Sequence, residues 1–115
     1  MTAMTIDPAQ PCLTLIDVIS VDPQHTAELL ELLQEISDDV MAGQPGFLGA
    51  ALHPSLDGGR VVSYVKWQSR EAWEAAVKRD EAKARFARVA RMVRSIEPDL
   101  YRVATVHGAR RGAEP

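Results

Sequence analysis

Four side chains carry groups suited to chemistry on a small molecule, and two tryptophans could hold one. Asp17 interrupts an otherwise apolar run, Cys12 to Ser20 (CLTLIDVIS). A carboxylate there sits at a solvated edge, is paired, or lines a polar pocket, because an unpaired buried charge is costly. It shares a face with Leu13, Leu15 and Ile19 at period two. His53 ends a second apolar run, and its imidazole titrates near neutral pH, which makes it a candidate base. Period two places His53 with Phe47, Gly49 and Ala51. Ser63 lies four residues before Trp67 on one strand face, so a hydroxyl hydrogen-bonding group and a stacking ring would point the same way. Arg88 is a candidate for an oxyanion if it turns inward. Trp67 and Trp73 are six residues apart, and Phe47 and Phe86 are the other rings that such a wall could use.

The elements that must position these groups follow from pattern. The segment from Pro45 to Trp73 is central. Asp57-Gly58-Gly59 is a hairpin signal, since such pairs supply positive φ. The flanking strands span residues 46–54 and 60–68, and Val61, Val62, Tyr64, Val65 and Trp67 suit a pleated, half-buried surface. Ser69 can cap the next helix. Asp22-Pro23 is a helix start, with Leu29, Leu33, Ile36 and Val40 at helical spacing to about Met41; Gly43 and Pro45 end it. From Ser69 the pattern predicts helix to about Glu97 with a bend near Asp80. Its second-half stripe is Phe86, Val89, Ala90, Val93 and Ile96, with Arg85, Arg88, Arg91 and Arg94 on the other flank. Pro98 should close that helix, and Leu100 to His107 should form the last strand.

The order β-α-β-β-α-β is the ferredoxin-like pattern, an α+β fold with a four-stranded antiparallel sheet and both helices on one face. The opposite face is expected to carry Leu48, Ala50, Leu52, Val62 and Tyr64, enough apolar surface to call for a partner. A symmetric homodimer through that face, with Leu48, Leu52, Val62 and Tyr64 in the interface, is the simplest cover. Residues 1–11 read as a flexible arm, 12–107 as one domain and 108–115 as a flexible tail.

Composition narrows the function. The 115 residues, 46% apolar and 25% charged, suit one soluble domain. A net charge of −3 gives no electrostatic footprint for nucleic acid or an anionic membrane. The single cysteine, Cys12, excludes an internal disulfide and points to a cytoplasmic protein. No apolar run approaches the ~20 residues that span a bilayer, and the N-terminus does not read as a signal peptide. His25, His53 and His107 have no metal-ligand spacing, and no phosphate-binding glycine loop follows a strand. No metal and no cofactor is expected.

The Pro45-Gly46-Phe47 entry, the strand end Val65-Lys66-Trp67, the helix start Ser69-Arg70-Glu71-Ala72-Trp73 and the long helix through Phe86 together resemble the antibiotic biosynthesis monooxygenase domain family. The resemblance covers residues 12 to about 107 and implies a dimeric α+β barrel. Its anthrone-oxidising members use O₂ without metal or flavin, and in them a Trp at the end of the third strand lines the pocket; Trp67 matches it. Their Asn four residues earlier is replaced here by Ser63, and the ring residue six positions later is Trp73. What the resemblance implies is a cofactor-independent monooxygenase taking an anthrone- or quinol-like polycyclic aromatic to a quinone, in which Trp67, Ser63, His53 and Asp17 are the catalytic candidates. Trp67, Trp73, Phe47, Phe86 and Arg88 would bind substrate. The alternative is a non-catalytic, dimeric ligand-binding or stress-related domain. Haem degradation is disfavoured, because the helix after Trp67 lacks the histidine that group uses.

Overall fold

The computed structural model describes residues 3–110. The first two residues of the expected arm and the last five of the expected tail lie outside them. Strands β1 (Leu13–Ser20), β2 (Phe47–Pro54), β3 (Arg60–Trp67) and β4 (Ser95–Tyr101) form one antiparallel sheet in the order β2-β3-β1-β4. This is the ferredoxin-like arrangement, with helices α1 (Thr26–Glu35), α2 (Arg70–Val77) and α3 (Asp80–Met92) joining the strands.

Local chemistry explains most boundaries. Asp22 accepts from the Gln24 backbone N–H at 3.3 Å, and Pro23 opens a 3₁₀ turn that runs into α1. After Glu35 the helix widens into a π-helical segment, Ile36–Met41, closed where the Ala42 N–H bonds the Ser37 carbonyl at 2.8 Å. The β2–β3 turn uses Gly58 at φ +78°. Asp57 holds it by accepting from the Gly59 N–H at 3.0 Å and the Ser55 hydroxyl at 2.7 Å. These bonds, the backbone one foremost, hold the Asp57 carboxyl below its ordinary range. Ser69 caps α2 by accepting from the Ala72 N–H at 3.1 Å.

The C-terminal third departs from the pattern reading. The bend expected near Asp80 is a full break: Lys78 closes α2 in helical geometry, the extended Arg79 separates it from α3, and α3 ends at Met92 rather than near Glu97. The last strand lies five residues earlier at its start than the sequence suggests. Pro98, read as a helix stop, sits inside β4 opposite Asp17. An edge strand tolerates this, since it pairs on one side only and a proline there forfeits no inward hydrogen bond. Ile96 belongs to β4, not to a helical stripe, and residues 102–107 carry no regular structure.

A second departure is in β2. A register irregularity between Phe47 and Gly49 sets Phe47 opposite Trp67 but Gly49 opposite Lys66. A bulge inserts one residue, so the alternation flips across it. Ala50 and Leu52 therefore turn toward the helices, and His53 turns to the open face with Ala51, paired to Val62. The face expected for Leu52 and the face expected for His53 are both reversed.

The core lies between sheet and helices: Ile19, Val61 and Trp67 from the strands against Leu29, Leu32, Leu33, Ile36, Val40, Ala76, Ala82 and Val89. Across the open face run Ile16, Val18, Val62 and Tyr64, all part-exposed, with Leu48 47% exposed beside them. Part of the arm lies on this face. The Lys66 ammonium donates to the Thr5 carbonyl, and Met4 packs over Gly49.

Candidate functional site

Between the sheet and the helices lies an apolar recess with a few polar groups on its wall. Leu15 and Asp17 come from β1, Phe47, Ala50 and Leu52 from β2, and Ser63, Val65 and Trp67 from β3. The helical side supplies Leu33, Ile36, Ser37 and Met41, then Trp73, Val77 and Phe86. About 60 Å³ of it admits the centre of a water-sized sphere, and its empty space counted out through the open mouth comes to about 490 Å³.

Backbone register brings the polar groups together. Asp17 and Ser63 are directly paired across β1 and β3, so both side chains project to the same side. No hydrogen bond or ion pair among the described residues engages the Asp17 carboxylate, and burial pushes its pKa up to about 6. Ser63 is buried as well. One position beyond Val65 on the same face, Trp67 is 1% exposed and meets Phe47 edge to face, ring centroids 5.3 Å apart at 79°. Trp73, in the first turn of α2, is half-buried; its indole nitrogen is sealed from water with no hydrogen-bond partner. Phe86 is 37% exposed at the mouth.

Of the residues singled out in the sequence, Asp17, Phe47, Ser63, Trp67, Trp73 and Phe86 share this wall. Two do not. His53 is exposed on the opposite face of the sheet, turned there by the bulge, and so is not placed to act as the base. Arg88 lies exposed in a separate surface recess with His25, Glu28, Arg91 and Met92. Arg85, the residue before Phe86, is held 3.6 Å from Asp39 and 3.6 Å from Glu81. Sequence reading missed Ser37 and Met41. They reach the wall on the π-helical segment, and a π turn shifts side chains relative to the 3.6-residue pattern used to read them. Among the described residues no three His, Cys, Asp or Glu side chains gather in metal-ligating range.

An antiparallel sheet with helices over one face, and a Trp-walled apolar recess holding an unpaired carboxylate beneath them, defines an α+β domain of the ferredoxin-like type. The family model described as "Antibiotic biosynthesis monooxygenase" matches residues 13–88, and the chain belongs to that family. Tetracenomycin-F1 monooxygenase of Streptomyces glaucescens is 37% identical over 71 residues, 62% of this chain; the matched region spans 63% of that protein's length. Two solved structures share the fold. A monooxygenase from the gene ActVA-Orf6 of Streptomyces coelicolor, in complex with nanaomycin D, superposes with a TM-score of 0.77 at 23% identity, covering 90% of this chain and 96% of that one. SnoaB, a cofactor-independent oxygenase from Streptomyces nogalater, superposes with a TM-score of 0.74 at 17% identity, covering 83% and 95%.

Proposed function

We propose that this protein is a cofactor-independent monooxygenase that oxidises a flat, electron-rich aromatic of the anthrone or quinol type to a quinone with O₂. The observation that carries the reading is the shared wall of Trp67, Ser63 and Asp17. The similarity to tetracenomycin-F1 monooxygenase supports it. Triplet O₂ reacts with a singlet organic molecule without a cofactor only if that molecule gives up an electron readily. Removing one C–H proton from an anthrone makes an extended phenolate-enolate that does so. The base we assign is Asp17, whose pKa of about 6 suits proton transfer near neutral pH better than an ordinary carboxylate.

The proton passes from substrate carbon to the Asp17 carboxylate. One electron passes from the substrate anion to O₂, and the resulting radical pair combines into a carbon–oxygen bond. The peroxide takes the proton back from Asp17, and loss of water leaves the new carbonyl. Ser63 hydrogen-bonds a substrate oxygen, Trp67 supplies the stacking face, and the apolar wall keeps bulk water from the anion. A flat tricyclic substrate would occupy the recess out to its mouth.

We place the protein in the cytoplasm as a homodimer packed through the open sheet face, with Leu48, Val62 and Tyr64 in the interface. Part-exposed apolar residues there support this. Leu52 belongs to the recess and leaves the interface set. A second reading, a non-catalytic ligand-binding domain, is favoured by Ser63, which stands where the anthrone-oxidising members carry Asn. The deciding assay is O₂ uptake with a simple anthrone and metal-stripped protein, wild type against Trp67→Phe. Uptake above the spontaneous rate with quinone formed, reduced in the variant, supports the oxygenase. No enhancement by a folded protein moves the assignment to ligand binding.

A further inference from the structure

The helical side of the recess carries one hydroxyl, that of Ser37. Leu29, Leu33, Ser37 and Met41 repeat every four residues along α1 and the π-helical segment, and the other three are buried. A serine inside such a stripe often turns its hydroxyl back to the carbonyl four residues earlier. Among the described residues the Ser37 hydroxyl makes no hydrogen bond, and the sealed polar side-chain atoms without a partner are Thr14 Oγ1 and the Trp73 indole nitrogen. Ser37 Oγ therefore keeps accessible surface, on a residue that lines the recess. We infer that Ser37 is a specificity-determining residue, its hydroxyl bonding a second ligand oxygen on the ring edge that faces away from Asp17 and Ser63. The inference rests on the aromatic-ligand reading above and deepens it: the ligand carries oxygens on two opposite edges.

Three features of the wall favour this role. Asp17 and Ser63 project from the sheet, whereas Leu33, Ile36, Met41, Val77 and Phe86 make the rest of the helical side apolar. With the Trp73 nitrogen sealed, a ligand oxygen that reaches this side meets Ser37 or goes unpaired. An unpaired oxygen is penalised, so the wall selects by rejecting the wrong edge as well as by holding the right one. The hydroxyl is also held in place before a ligand arrives. Ile36 and Val40 anchor the segment at 3% and 2% exposure, the Ala42 N–H bonds the Ser37 carbonyl at 2.8 Å, and the Gln44 side-chain amide donates to the Val40 carbonyl at 3.1 Å. Such preorganisation spares the cost of ordering the group on binding. Finally, a hydroxyl both donates and accepts, so it takes a phenol O–H and a quinone carbonyl alike.

The probes are α-naphthol and naphthalene-1,5-diol, the second carrying one more hydroxyl on the opposite edge of the same ring system. Titration calorimetry under nitrogen gives their affinities for wild type, Ser37→Ala and Ser37→Cys. Wild type should bind the diol more tightly. In Ser37→Ala the diol buries a hydroxyl without a partner, so the ratio of the two affinities should fall about tenfold, the size of one lost hydrogen bond. Binding of α-naphthol should change little. Ser37→Cys, close to serine in bulk but a weak donor and acceptor, should lose the preference in the same way. Thermal unfolding of the free proteins supplies the structural control: alanine suits a helix and the serine hydroxyl makes no bond, so Ser37→Ala should not lower Tm. A lowered Tm with an unchanged ratio assigns the hydroxyl to structure and overturns the inference. Equal binding of the two probes by wild type also overturns it, without touching the aromatic-ligand reading. Failure of both probes to bind folded wild-type protein overturns it together with that reading. The wild-type comparison keeps the test decisive even if a variant folds poorly.

Discussion

Replacing Asp17 by Asn should make the protein more stable at alkaline pH and much slower as an oxygenase. In the unfolded chain the Asp17 proton leaves near 3.8; in the folded protein burial holds it to about 6. Between those values the folded state binds more protons than the unfolded one, so this group's contribution to stability falls as pH rises. The penalty is complete above pH 6 and absent below pH 3.8. A shift of about two units at 1.36 kcal/mol each comes to about 3 kcal/mol. Asp17 is only part-buried and an amide needs partners of its own, so the gain expected for Asp17→Asn at pH 8 is about 1–3 kcal/mol, with none at pH 3.5. At roughly 4 °C per kcal/mol this raises Tm by about 4–12 °C at pH 8. Thermal unfolding of both proteins across pH 3.5–8 gives the difference curve, which cancels every other titrating group, Asp57 included. In parallel, wild-type kcat/KM should climb through an apparent pKa near 6 and the variant should lose that limb. A flat difference curve would refute buried ionisation, and an unchanged pH–rate limb in the variant would refute the assignment of Asp17 as base.

Two further predictions concern the frame around the site. Gly46 holds φ +85°, and a Cβ there would lie 2.6 Å from the Ala72 Cβ, whereas Gly43 has nothing within 4 Å. Gly46→Ala should cost about 2–4 kcal/mol from strain and overlap combined, and Gly43→Ala should lose no more than a few tenths; chemical denaturation with equal losses would sink the distinction. On the open face, Val62→Lys should turn a dimer into a monomer by light scattering with unchanged far-UV circular dichroism. A wild type already monomeric at tens of micromolar would remove the sheet-face interface.

Elements whose signals are local could be read from the chain. The Asp22-Pro23 start, the Asp57-Gly58-Gly59 turn and the Ser69 cap each depend on hydrogen bonds within a few residues, and each forms as its residue types suggest. The C-terminal third could not be read that way. Proline is a helix stop by local propensity, but Pro98 is decided by its pairing with Asp17, eighty-one positions away. The candidate site divides along the same line. Asp17, Ser63 and Trp67 reach the recess by plain alternation along unbroken strands. His53 misses it because a bulge near Gly49, which no turn residue announces, reverses the alternation ahead of it. Ser37 was hidden by the π-helical segment, whose widened turn depends on tertiary packing.

That bulge also bears on the chemistry. With His53 on the far face and Arg88 outside, the described residues leave the recess one ionisable side chain, Asp17. On the proposed mechanism this is an advantage. A neutral base would create a cation and an anion together in an apolar cavity, at a high desolvation cost. A carboxylate instead hands its negative charge to the substrate as it takes the proton, so the cavity carries one negative charge before and after the transfer. Burial raises the starting level of that charge, and the receiving anion is spread over a ring system. The charge moves outward from Asp17 toward the substrate oxygens as Asp17 is neutralised. The pocket that destabilises the folded protein above pH 6 is, by the same electrostatics, one that favours delivering the proton to Asp17.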